Sequence, residues 1–507
     1  MRTLVPAALA LLATAACAQR ILCPQGETDC GGRCVSLLGD PLNCGRCGEA
    51  ATPLQVCRAG ALGCAPGVAV CDGACTDLAR DPLHCGGCGT ACAAGEYCTT
   101  DGSGTRCTTS CADGLAACAG ACVDLATDRI DCGVCGRSCL AGQTCRASVC
   151  AADLEVACYA SGDVRPVTAD LQPAGEARSA QGSPTALIFG AADFYSGNAY
   201  PGSVSVYPLD DRLPGSLALL SGDDIEGLGS YGGAVLVANA AANDLVILDA
   251  DGAVLDAFAL PGVAPNPHGL AVAGTTAYVA LYGDGPDGFG GHADTTGQAL
   301  ARVDLSALPA CMAGTSTSCG TLSGTIDLMA VDGTHDAGAY PFPSKVAVRG
   351  SKIYVTLADL ERADCGGGTY GYCKPAGHGR LAVVDTAAGD AVSVVDLGPD
   401  CLNPGDLDID GDMAWVACGS FTFRAEAPGA VVPVSLAGAV PVVGAKVDAS
   451  SVVPGALAIC NGMGYLTDQA SGTVLRFDPA QGAVDASETV CPTVYFAWAA
   501  DVACPRP

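Results

Sequence analysis

The sequence is poor in charge, in basic residues and in aromatic side chains. Only 15% of its 507 residues are charged, and 53 acidic residues against 24 basic ones give a net charge of −29. A chain this acidic repels nucleic acid and anionic membrane surfaces, so neither is expected as a partner. Disorder is not expected either, because half of the residues are hydrophobic and disordered chains have low hydrophobicity. The 68 glycines are typical of β-structure with many tight turns.

Long apolar runs are missing except at the N-terminus, where Leu4 to Ala16 follows Arg2. This run is shorter than the about 20 residues that span a bilayer, so residues 1–18 are predicted to be a signal peptide. The segment Thr14-Ala15-Ala16-Cys17 also resembles a bacterial lipobox, although leucine is usual at the place of Thr14. Cys17 is therefore a lipidation candidate. We expect an exported protein, extracellular or in the outer cell envelope, that contacts a membrane only through this lipid.

Motifs for catalysis are also missing, since GxSxG, HExxH and a P-loop lysine do not occur. The segment GLGSYG from Gly227 fits a dinucleotide fingerprint, but a strand rather than a helix follows it, so no helix N-terminus holds the phosphates. Asp406 to Asp410 begins like a calcium loop, but Ala417 replaces the bidentate glutamate. The alternation there predicts a solvated strand face. We expect no enzyme and no cofactor, with calcium or another divalent cation as the alternative.

The N-terminal quarter of the chain repeats one cysteine pattern three times. The copies hold six, eight and eight cysteines with identical spacing from the first to the fifth, and they share the segments DPLNCGRCG, DPLHCGGCG and DRIDCGVCG. Units this small cannot bury enough apolar surface to fold without staples. The CxxC pairs also suit zinc, but export to an oxidising compartment favours disulfides. Residues 19–150 are therefore predicted to be three disulfide-stapled repeats.

The first copy lacks two of the cysteines that the other copies have. Ala51 stands where they have Cys92 and Cys139, and the counterpart of Cys107 and Cys150 is also missing. Two cysteines lost together are most simply the ends of one bridge, which predicts Cys92–Cys107 and Cys139–Cys150. Two further pairs that are close in sequence are predicted to form local bridges: Cys311 with Cys319, and Cys365 with Cys373.

The repeated unit resembles the stigma-specific protein repeat family. The first copy reads CPQGETDCGGRCVSLLGDPLNCGRCG, close to the family's pattern of a Cys-Gly-Gly-x-Cys segment followed by Asp-x-x-Asn-Cys-Gly-x-Cys-Gly. The resemblance covers residues 23 to about 150. It implies a small secreted disulfide module and brings no catalytic residues with it.

The rest of the chain repeats a different pattern, after a connector predicted at residues 151–183. Four segments align without gaps, starting at Pro267, Pro343, Pro404 and Pro454, and a weaker fifth starts at Ile225. Each is typical of a strand, a tight turn and a second strand, and two more strands follow it. Four strands per repeat indicate an all-β protein, a β-propeller over residues 184–507. The pattern resembles YVTN- or NHL-type propellers, which implies a fold and no activity.

The two ends of this region are predicted to complete one blade. Ala500 to Cys504 (ADVAC) looks like a first strand, whereas Thr185 to Phe189 and the following GSVSVYPLDD look like strands two and three. Joining them closes the ring and removes two exposed edges. The count is then six blades, with seven as the alternative.

Long insertions indicate which face of the propeller is functional. Gly283–Gln298, Val331–Pro341 and Asp359–Gly379 all lie where second strands end or blades are joined, and these places share one face. Two interpretations stay open: a metal or ligand cluster, or polar loops that merely collect these residue types. Asn239 and Asp468, which end second strands, are candidates for the pore. The binding candidates on this face are His268, His292, His335, His378, Asp287, Asp294, Asp332 and Asp336.

These features predict an exported binding protein for a protein or carbohydrate ligand. The propeller face would be the recognition surface, and the cysteine repeats would be a stapled stalk. The first alternative is a lactonase-like propeller hydrolase with a central divalent cation. The second is a structural matrix component.

Overall fold

A computed structural model describes most of the chain between residues 28 and 505. The ranges outside the description are 1–27, 31–33, 36, 39–42, 53, 66–67, 140–142, 147, 176, 191–192, 209–216, 221–223, 263–264, 284–297, 330–338, 362–373, 376, 420–427, 493–497 and 506–507. The predicted signal peptide and Cys17 are thus not described. None of the helices in the described ranges is both long and apolar enough to cross a membrane.

Short antiparallel hairpins make up the cysteine repeats, here called unit 1 (residues 28–57), unit 2 (64–107) and unit 3 (111–150). Their strands are β1 (Thr28–Asp29), β2 (Cys34–Val35), β3 (Gln55–Arg58), β4 (Ala61–Cys64), β5 (Ala69–Cys71), β6 (Ala74–Thr76), β7 (Tyr97–Asp101), β8 (Gly104–Thr108), β9 (Ala116–Cys118), β10 (Ala121–Val123), β11 (Gln143–Arg146) and β12 (Val149–Ala152).

Disulfides repeat in the same order from unit to unit. The predicted pairs Cys92–Cys107 and Cys139–Cys150 are both bonded. The cysteines therefore bind one another, which leaves no thiolates there for zinc. The other bridges are Cys30–Cys47 and Cys44–Cys57 in unit 1, Cys64–Cys75, Cys71–Cys88 and Cys85–Cys98 in unit 2, and Cys111–Cys122, Cys118–Cys135 and Cys132–Cys145 in unit 3.

Unit 2 is attached to unit 3, and unit 3 to the propeller, without a flexible linker. One four-stranded sheet, in the order β8-β7-β10-β9, takes two strands from each unit. Arg80 of unit 2 adds ion pairs to Asp128, at 3.1 Å, and to the buried Asp131 of unit 3. Strand β12 ends at Ala152, and the next strand begins at Leu154 inside the propeller. Sheet pairing therefore stiffens the connection between units 2 and 3. The connection between unit 3 and blade 7 is stiffened because it is very short.

The described part of the propeller forms seven four- or five-stranded antiparallel blades. Blade 1 has β16 (Pro184–Phe189), β17 (Asp193–Asn198), β18 (Ser203–Pro208) and β19 (Leu217–Leu219); blade 2 has β20 (Ile225–Tyr231), β21 (Ala234–Asn239), β22 (Asp244–Leu248) and β23 (Val254–Ala259); blade 3 has β24 (Pro267–Ala273), β25 (Thr276–Leu281), β26 (Ala299–Asp304) and β27 (Thr321–Asp327). Blade 4 has β29 (Pro343–Arg349), β30 (Lys352–Leu357), β33 (Arg380–Asp385) and β34 (Ala391–Asp396); blade 5 has β35 (Pro404–Asp410), β36 (Met413–Cys418), β37 (Ala430–Ser435), β38 (Val442–Val443) and β39 (Val447–Asp448); blade 6 has β40 (Pro454–Cys460), β41 (Met463–Asp468), β42 (Thr473–Asp478) and β43 (Ala483–Thr489). Blade 7 has β13 (Leu154–Cys158), β14 (Asp163–Val167), β15 (Arg178–Ser179) and β44 (Ala499–Ala503), while β28 (Ala339–Tyr340), β31 (Leu360–Glu361) and β32 (Lys374–Pro375) form a small separate sheet. Helix α1 (Leu308–Met312) connects the last two strands of blade 3, and a 3₁₀ turn (Thr386–Ala388) connects the last two strands of blade 4.

The hydrophobic core of the propeller lies between blades. Each pair of neighbouring blades shares one cluster of buried apolar side chains, including the pair formed by blade 7 and blade 1. Because both faces of every blade are covered in this way, their middle strands consist almost entirely of buried residues, as in Ala234–Asn239. The ring, not the single blade, is therefore the stable unit.

Ring closure differs from the sequence prediction. The C-terminal strand β44 is indeed an inner strand, but it pairs with Leu154–Cys158, which the sequence had assigned to a connector. Residues 154–179 thus supply three strands of blade 7, and Pro184–Phe189 is the inner strand of its own blade. The prediction of a 151–183 linker is wrong for this reason, and the blade count is seven, the alternative that the sequence left open, not six. The outer strands of blade 7 are short, so most of residues 160–183 lies in turns between them. These turns are rich in alanine, glycine and proline, a composition that is also typical of linkers.

Two disulfides reinforce the closure. Cys158 of blade 7 bonds Cys491, which follows the last strand of blade 6, and Cys460 of blade 6 bonds Cys504 beside the C-terminal strand. Within blades, Cys401 bonds Cys418 and the predicted pair Cys311–Cys319 is bonded as well. The predicted pair Cys365–Cys373 lies outside the described residues.

Candidate functional site

A β-bulge opens every inner strand at the same place, next to its first residue. The register of all seven inner strands in the described ring skips one or two residues there. A bulge re-aims the skipped side chains, and the skipped residues line a cavity of about 140 Å³ in the central channel. The cavity lies at the end where inner strands begin and second strands finish, which is the face that the loop insertions predicted.

The rim of this cavity differs between the two halves of the ring. We call the second residue of each inner strand a rim residue. Blades 1 to 4 contribute polar rim residues, whereas blades 5 to 7 contribute glycine or alanine. Beside Gly455 the space is taken by Thr467 and Gln469, since a Cβ there would lie 2.6 Å and 2.9 Å from their side chains. In blade order, the rim residues are Thr185, Glu226, His268, Ser344, Gly405, Gly455 and Ala500.

Two glycines allow the inner strands of blades 2 to 4 to approach closely. A Cβ on Gly227 would lie 2.3 Å from the carbonyl oxygen of His268, and one on Gly269 would lie 2.5 Å from that of Ser344. Only glycine fits such spacing. The GLGSYG segment is therefore a packing feature of the channel wall, consistent with the rejection of nucleotide binding.

Lys345 forms the floor of the cavity together with two aspartates. Its ammonium lies 2.8 Å from a carboxylate oxygen of Asp406, and its side chain keeps 40% exposure. Burial alone would lower the pKa of Lys345, but the carboxylates of Asp406 and Asp501 outweigh this and raise it. For Asp501, burial raises the pKa to about 7, against the opposing influence of Lys345.

The same aspartates join the blades to one another. Asp406 and Asp408 of blade 5 accept backbone N–H groups of Leu457 and Ile459 in blade 6, both at 2.7 Å. Asp501 of blade 7 accepts the N–H of Leu187 in blade 1 at 2.6 Å. All three side chains are less than 10% exposed. The predicted solvated face at Asp406 and Asp408 is wrong, because the alternation points them at the next blade's backbone.

Glu226 lines the opposite side of the cavity, and Asp224 is its neighbour outside the lining. Burial, followed by the nearby and hydrogen-bonded carboxyl of Asp224, raises the pKa of Glu226 well above its usual range. The charges of the same two carboxyls act on Tyr159, which is not among the residues that line the cavity. Burial raises the pKa of Tyr159 to about 12, and Tyr200, Asp224 and Glu226 add to the effect. Tyr159 also packs on Trp498, with ring centroids 4.5 Å apart.

His268 is the predicted candidate that the structure places in the cavity. Its imidazole stacks on Tyr282 with centroids 4.3 Å apart and planes within 7°. Burial lowers the pKa of His268 to about 3, so the ring is neutral at physiological pH. A neutral imidazole can accept or donate one hydrogen bond to a ligand and brings no positive charge to the cavity.

The other predicted candidates are not gathered around His268. His378 lies outside the cavity and hydrogen-bonds Asp396 at 3.0 Å on the exposed side of blade 4. Asn239 and Asp468 are buried but do not line the cavity; Asp468 instead accepts the N–H groups of Val453 and Ala470 in a turn. The remaining candidates lie outside the described residues: His292, His335, Asp287, Asp294, Asp332 and Asp336.

The cavity residues could be found in the sequence only by reading columns of the aligned blades. Glu226, His268 and Ser344 share the second column, and Lys345 and Asp406 share the third. A search for short motifs does not find these residues, because the cavity residues come from different blades and are far apart in the sequence. The useful position in the aligned blades was the one directly after the initial proline of the inner strand, because the β-bulge lies there.

The raised carboxyl pKa values predict that acid stabilises the fold. The pKa of buried Asp501 is raised to about 7, as is that of Glu155, which is buried beside Arg178. Between their usual values and pH 7, the folded protein holds protons that the unfolded chain releases, so stability falls as pH rises toward 8. Each such proton lowers the free energy of unfolding by up to about 1.4 kcal/mol for every unit by which the pH rises. Urea unfolding from pH 5 to 8 would measure this slope. It should flatten in Asp501→Asn and stay unchanged in the exposed control Glu488→Gln; an unchanged slope in Asp501→Asn would contradict the prediction.

Fold and site together define the class of this protein: a β-propeller with an N-terminal disulfide-rich region and a polar cavity in its central channel. A family model supports the N-terminal assignment, since the stigma-specific STIG1-like protein family matches residues 100–153, which include unit 3. A search of curated proteins found no match.

Solved propeller structures are similar to the chain in overall architecture. A candidate 6-phosphogluconolactonase from Bacteroides fragilis is 13% identical, with a TM-score of 0.49 over 70% of this chain and 97% of its own. BamB from Moraxella catarrhalis is 15% identical, with a TM-score of 0.39 over 70% and 87%. The β-propeller domain of Swd1 from Myceliophteria thermophila is 12% identical, with a TM-score of 0.44 over 62% and 87%. Identities this low concern the fold alone.

Proposed function

We propose that this chain is an exported binding protein that recognises a protein or carbohydrate ligand at the channel mouth. The observation that carries the proposal is the cavity itself, with four polar rim residues facing three small ones on the loop-rich face. A rigid ring that presents a polar pocket on its loop-rich face is suited to receive part of a ligand. The disulfide density of the units favours an oxidising compartment outside the cell.

The cysteine units would hold the propeller away from its attachment point. Their bridges, the sheet shared by units 2 and 3 and the direct connection to blade 7 favour a stiff stalk. A lipid on Cys17 would place this stalk on a membrane. The mass of the mature N-terminus tests the anchor, because a diacylated cysteine and a free secreted terminus differ by the acyl chains.

A pocket-filling variant tests the recognition site. Ala500→Leu enlarges a side chain that lines the cavity, and its melting temperature shows whether the fold is kept. On peptide and glycan arrays, we expect ligands of the unchanged protein to be lost by a folded Ala500→Leu variant. Ligands that bind both proteins equally would move recognition away from the cavity. Absence of any ligand on either array would favour the matrix role.

The hydrolase alternative needs a divalent cation in the channel. The donor set fits this poorly, because the Lys345 ammonium already occupies the position between the carboxylates of Asp406 and Asp501. Elemental analysis of the purified protein tests it directly. Stoichiometric calcium or zinc, together with a lactonase activity lost on chelation, would replace the binding proposal.

A further inference from the structure

The seam between units 2 and 3 uses two surfaces that units 1 and 2 also have. In this seam, β10 of unit 3 pairs in parallel with β7 of unit 2, and the N–H of Cys98 donates to the carbonyl oxygen of Gly120 at 2.8 Å. We call the β7 side a donor edge and the β9–β10 hairpin an acceptor hairpin. By repeat position, β3 is the donor edge of unit 1 and β5–β6 is the acceptor hairpin of unit 2. Within the described part of the chain, β3 pairs only with β4, and β6 pairs only with β5.

Burial shows that the acceptor hairpin of unit 2 is uncovered. In unit 3, Ala121 is buried, and a Cβ on Gly120 would lie 2.9 Å from the Pro82 side chain of unit 2. The counterpart of Ala121 in unit 2 is Ala74, which is exposed. A Cβ on Gly73, the counterpart of Gly120, would meet no atom within 4 Å. The hairpin of unit 2 thus repeats the one in unit 3 without the layer that covers it there.

Burial differs in the same way on the donor edge. Cys98 and Thr99 of β7 are buried, whereas their counterparts in β3 are the partly exposed Cys57 and the exposed Arg58. An uncovered strand edge presents backbone N–H and C=O groups that can pair with another chain. The two open surfaces also have opposite charges, since β3 carries Arg58 and the turn between β5 and β6 carries Asp72.

The connection between units 1 and 2 keeps these two surfaces apart within one chain. The strand order β8-β7-β10 requires the chain that leaves β8 to cross β7 before it forms β10. Cys111, which bonds Cys122 of β10, lies beyond the end of β8 and leaves room for this crossing. Cys64, by contrast, is the last residue of β4 and bonds Cys75 of β6. This bridge ties β6 to β4, and short connections of this kind favour exchange between chains.

We propose that two copies of this chain exchange these surfaces and form a dimer through their stalks. Strand β3 of each copy adds to β6 of the other in the register of the seam, with the N–H of Cys57 donating to the carbonyl oxygen of Gly73. Each copy brings one donor edge and one acceptor hairpin, so two identical contacts close around a twofold axis. Two propellers on one stalk give a repetitive ligand two points of attachment. The inference concerns the cysteine units and does not rest on the function proposed for the cavity.

Sedimentation of the mature chain from Gln19, which carries no lipid, tests the inference. We expect a particle of twice the chain mass that dissociates on dilution. Ala74→Glu places a charged side chain where the counterpart Ala121 is covered in the seam, and should raise the dissociation constant of the dimer at least about tenfold. Because Ala74 is exposed in the single chain, the melting temperature of the diluted monomer should not change. Ala117→Glu makes the same change at an exposed position of β9 and should leave the dissociation constant unchanged.

A longer connection distinguishes exchange from ordinary association. An insertion of about six glycine and serine residues between Gly63 and Cys64 separates β6 from β4, so that the two surfaces can meet within one chain. This variant should be a monomer at concentrations where the unchanged protein is a dimer. The same insertion in the exposed turn after Ala480 of blade 6 should leave the dimer intact.

Three results would overturn the inference: an unchanged protein that stays monomeric up to about 100 μM, a dimer that Ala74→Glu leaves as stable as before, or a dimer that persists with the longer connection. If Ala74→Glu lowers the melting temperature of the monomer, the longer connection alone decides. Loss of the dimer in both variants, with both controls dimeric, would establish the exchange.

Discussion

Replacing Cys158 and Cys491 by alanine is expected to lower the free energy of unfolding by roughly 3 to 5 kcal/mol. This bridge spans 333 residues and joins blade 6 to blade 7, so without it the unfolded chain gains the entropy of nearly the whole propeller. Closure then depends on the pairing of β44 with β13, on Cys460–Cys504 and on the contacts of the C-terminal strand. Denaturant unfolding without reductant measures the loss.

A local bridge is the matched control for this experiment. Cys311–Cys319 spans only 8 residues, and its replacement by alanine should cost roughly 2 to 3 kcal/mol less, because the loop-closure entropy is smaller. Both changes remove one disulfide and two sulfur atoms from buried positions. Equal losses in the two variants would show that ring closure does not depend on the long bridge.

Lys345→Met is expected to destabilise the propeller by about 2 to 3 kcal/mol at pH 8. The change leaves Asp406 and Asp501 buried in the channel without the cation that balances them. The cost lies below that of a fully buried broken pair, because the Lys345 side chain is 40% exposed. It should shrink toward pH 5, since Asp501, whose pKa is raised to about 7, becomes neutral and needs no counter-charge.

The control for Lys345→Met is Lys446→Met on the surface of blade 5. Lys446 pairs with Asp400 at 2.7 Å, and the two lysines are similarly exposed, but the Asp400 carboxylate is 56% exposed whereas that of Asp406 is 7% exposed. An exposed pair of this kind contributes about 1 kcal/mol or less. Similar losses for the two variants, or a Lys345→Met loss that does not depend on pH, would contradict the assigned role of the channel lysine.

The sequence by itself determined the parts of this protein that are local or repeated. The cysteine units were evident from spacing, and the loss of two cysteines in the first copy was enough to predict Cys92–Cys107 and Cys139–Cys150, which the structure has. Four-strand repeats indicated a propeller, and the loop insertions indicated the face at which the cavity lies, because strand patterns and turns depend on neighbours along the chain.

Only the tertiary structure decided how the ring closes and what lines its channel. Strand β44 pairs with Leu154–Cys158, which is more than 300 residues away in the sequence. No local sequence pattern predicts that pairing. Asp406 and Asp408 alternate like a solvated strand, yet the neighbouring blade buries them against its own backbone N–H groups. Glu226, His268 and Lys345 meet because bulges in three separate blades turn them into one channel. A site assembled from one residue per blade is set by the curvature of the ring, and curvature is a property of packed blades, not of any segment.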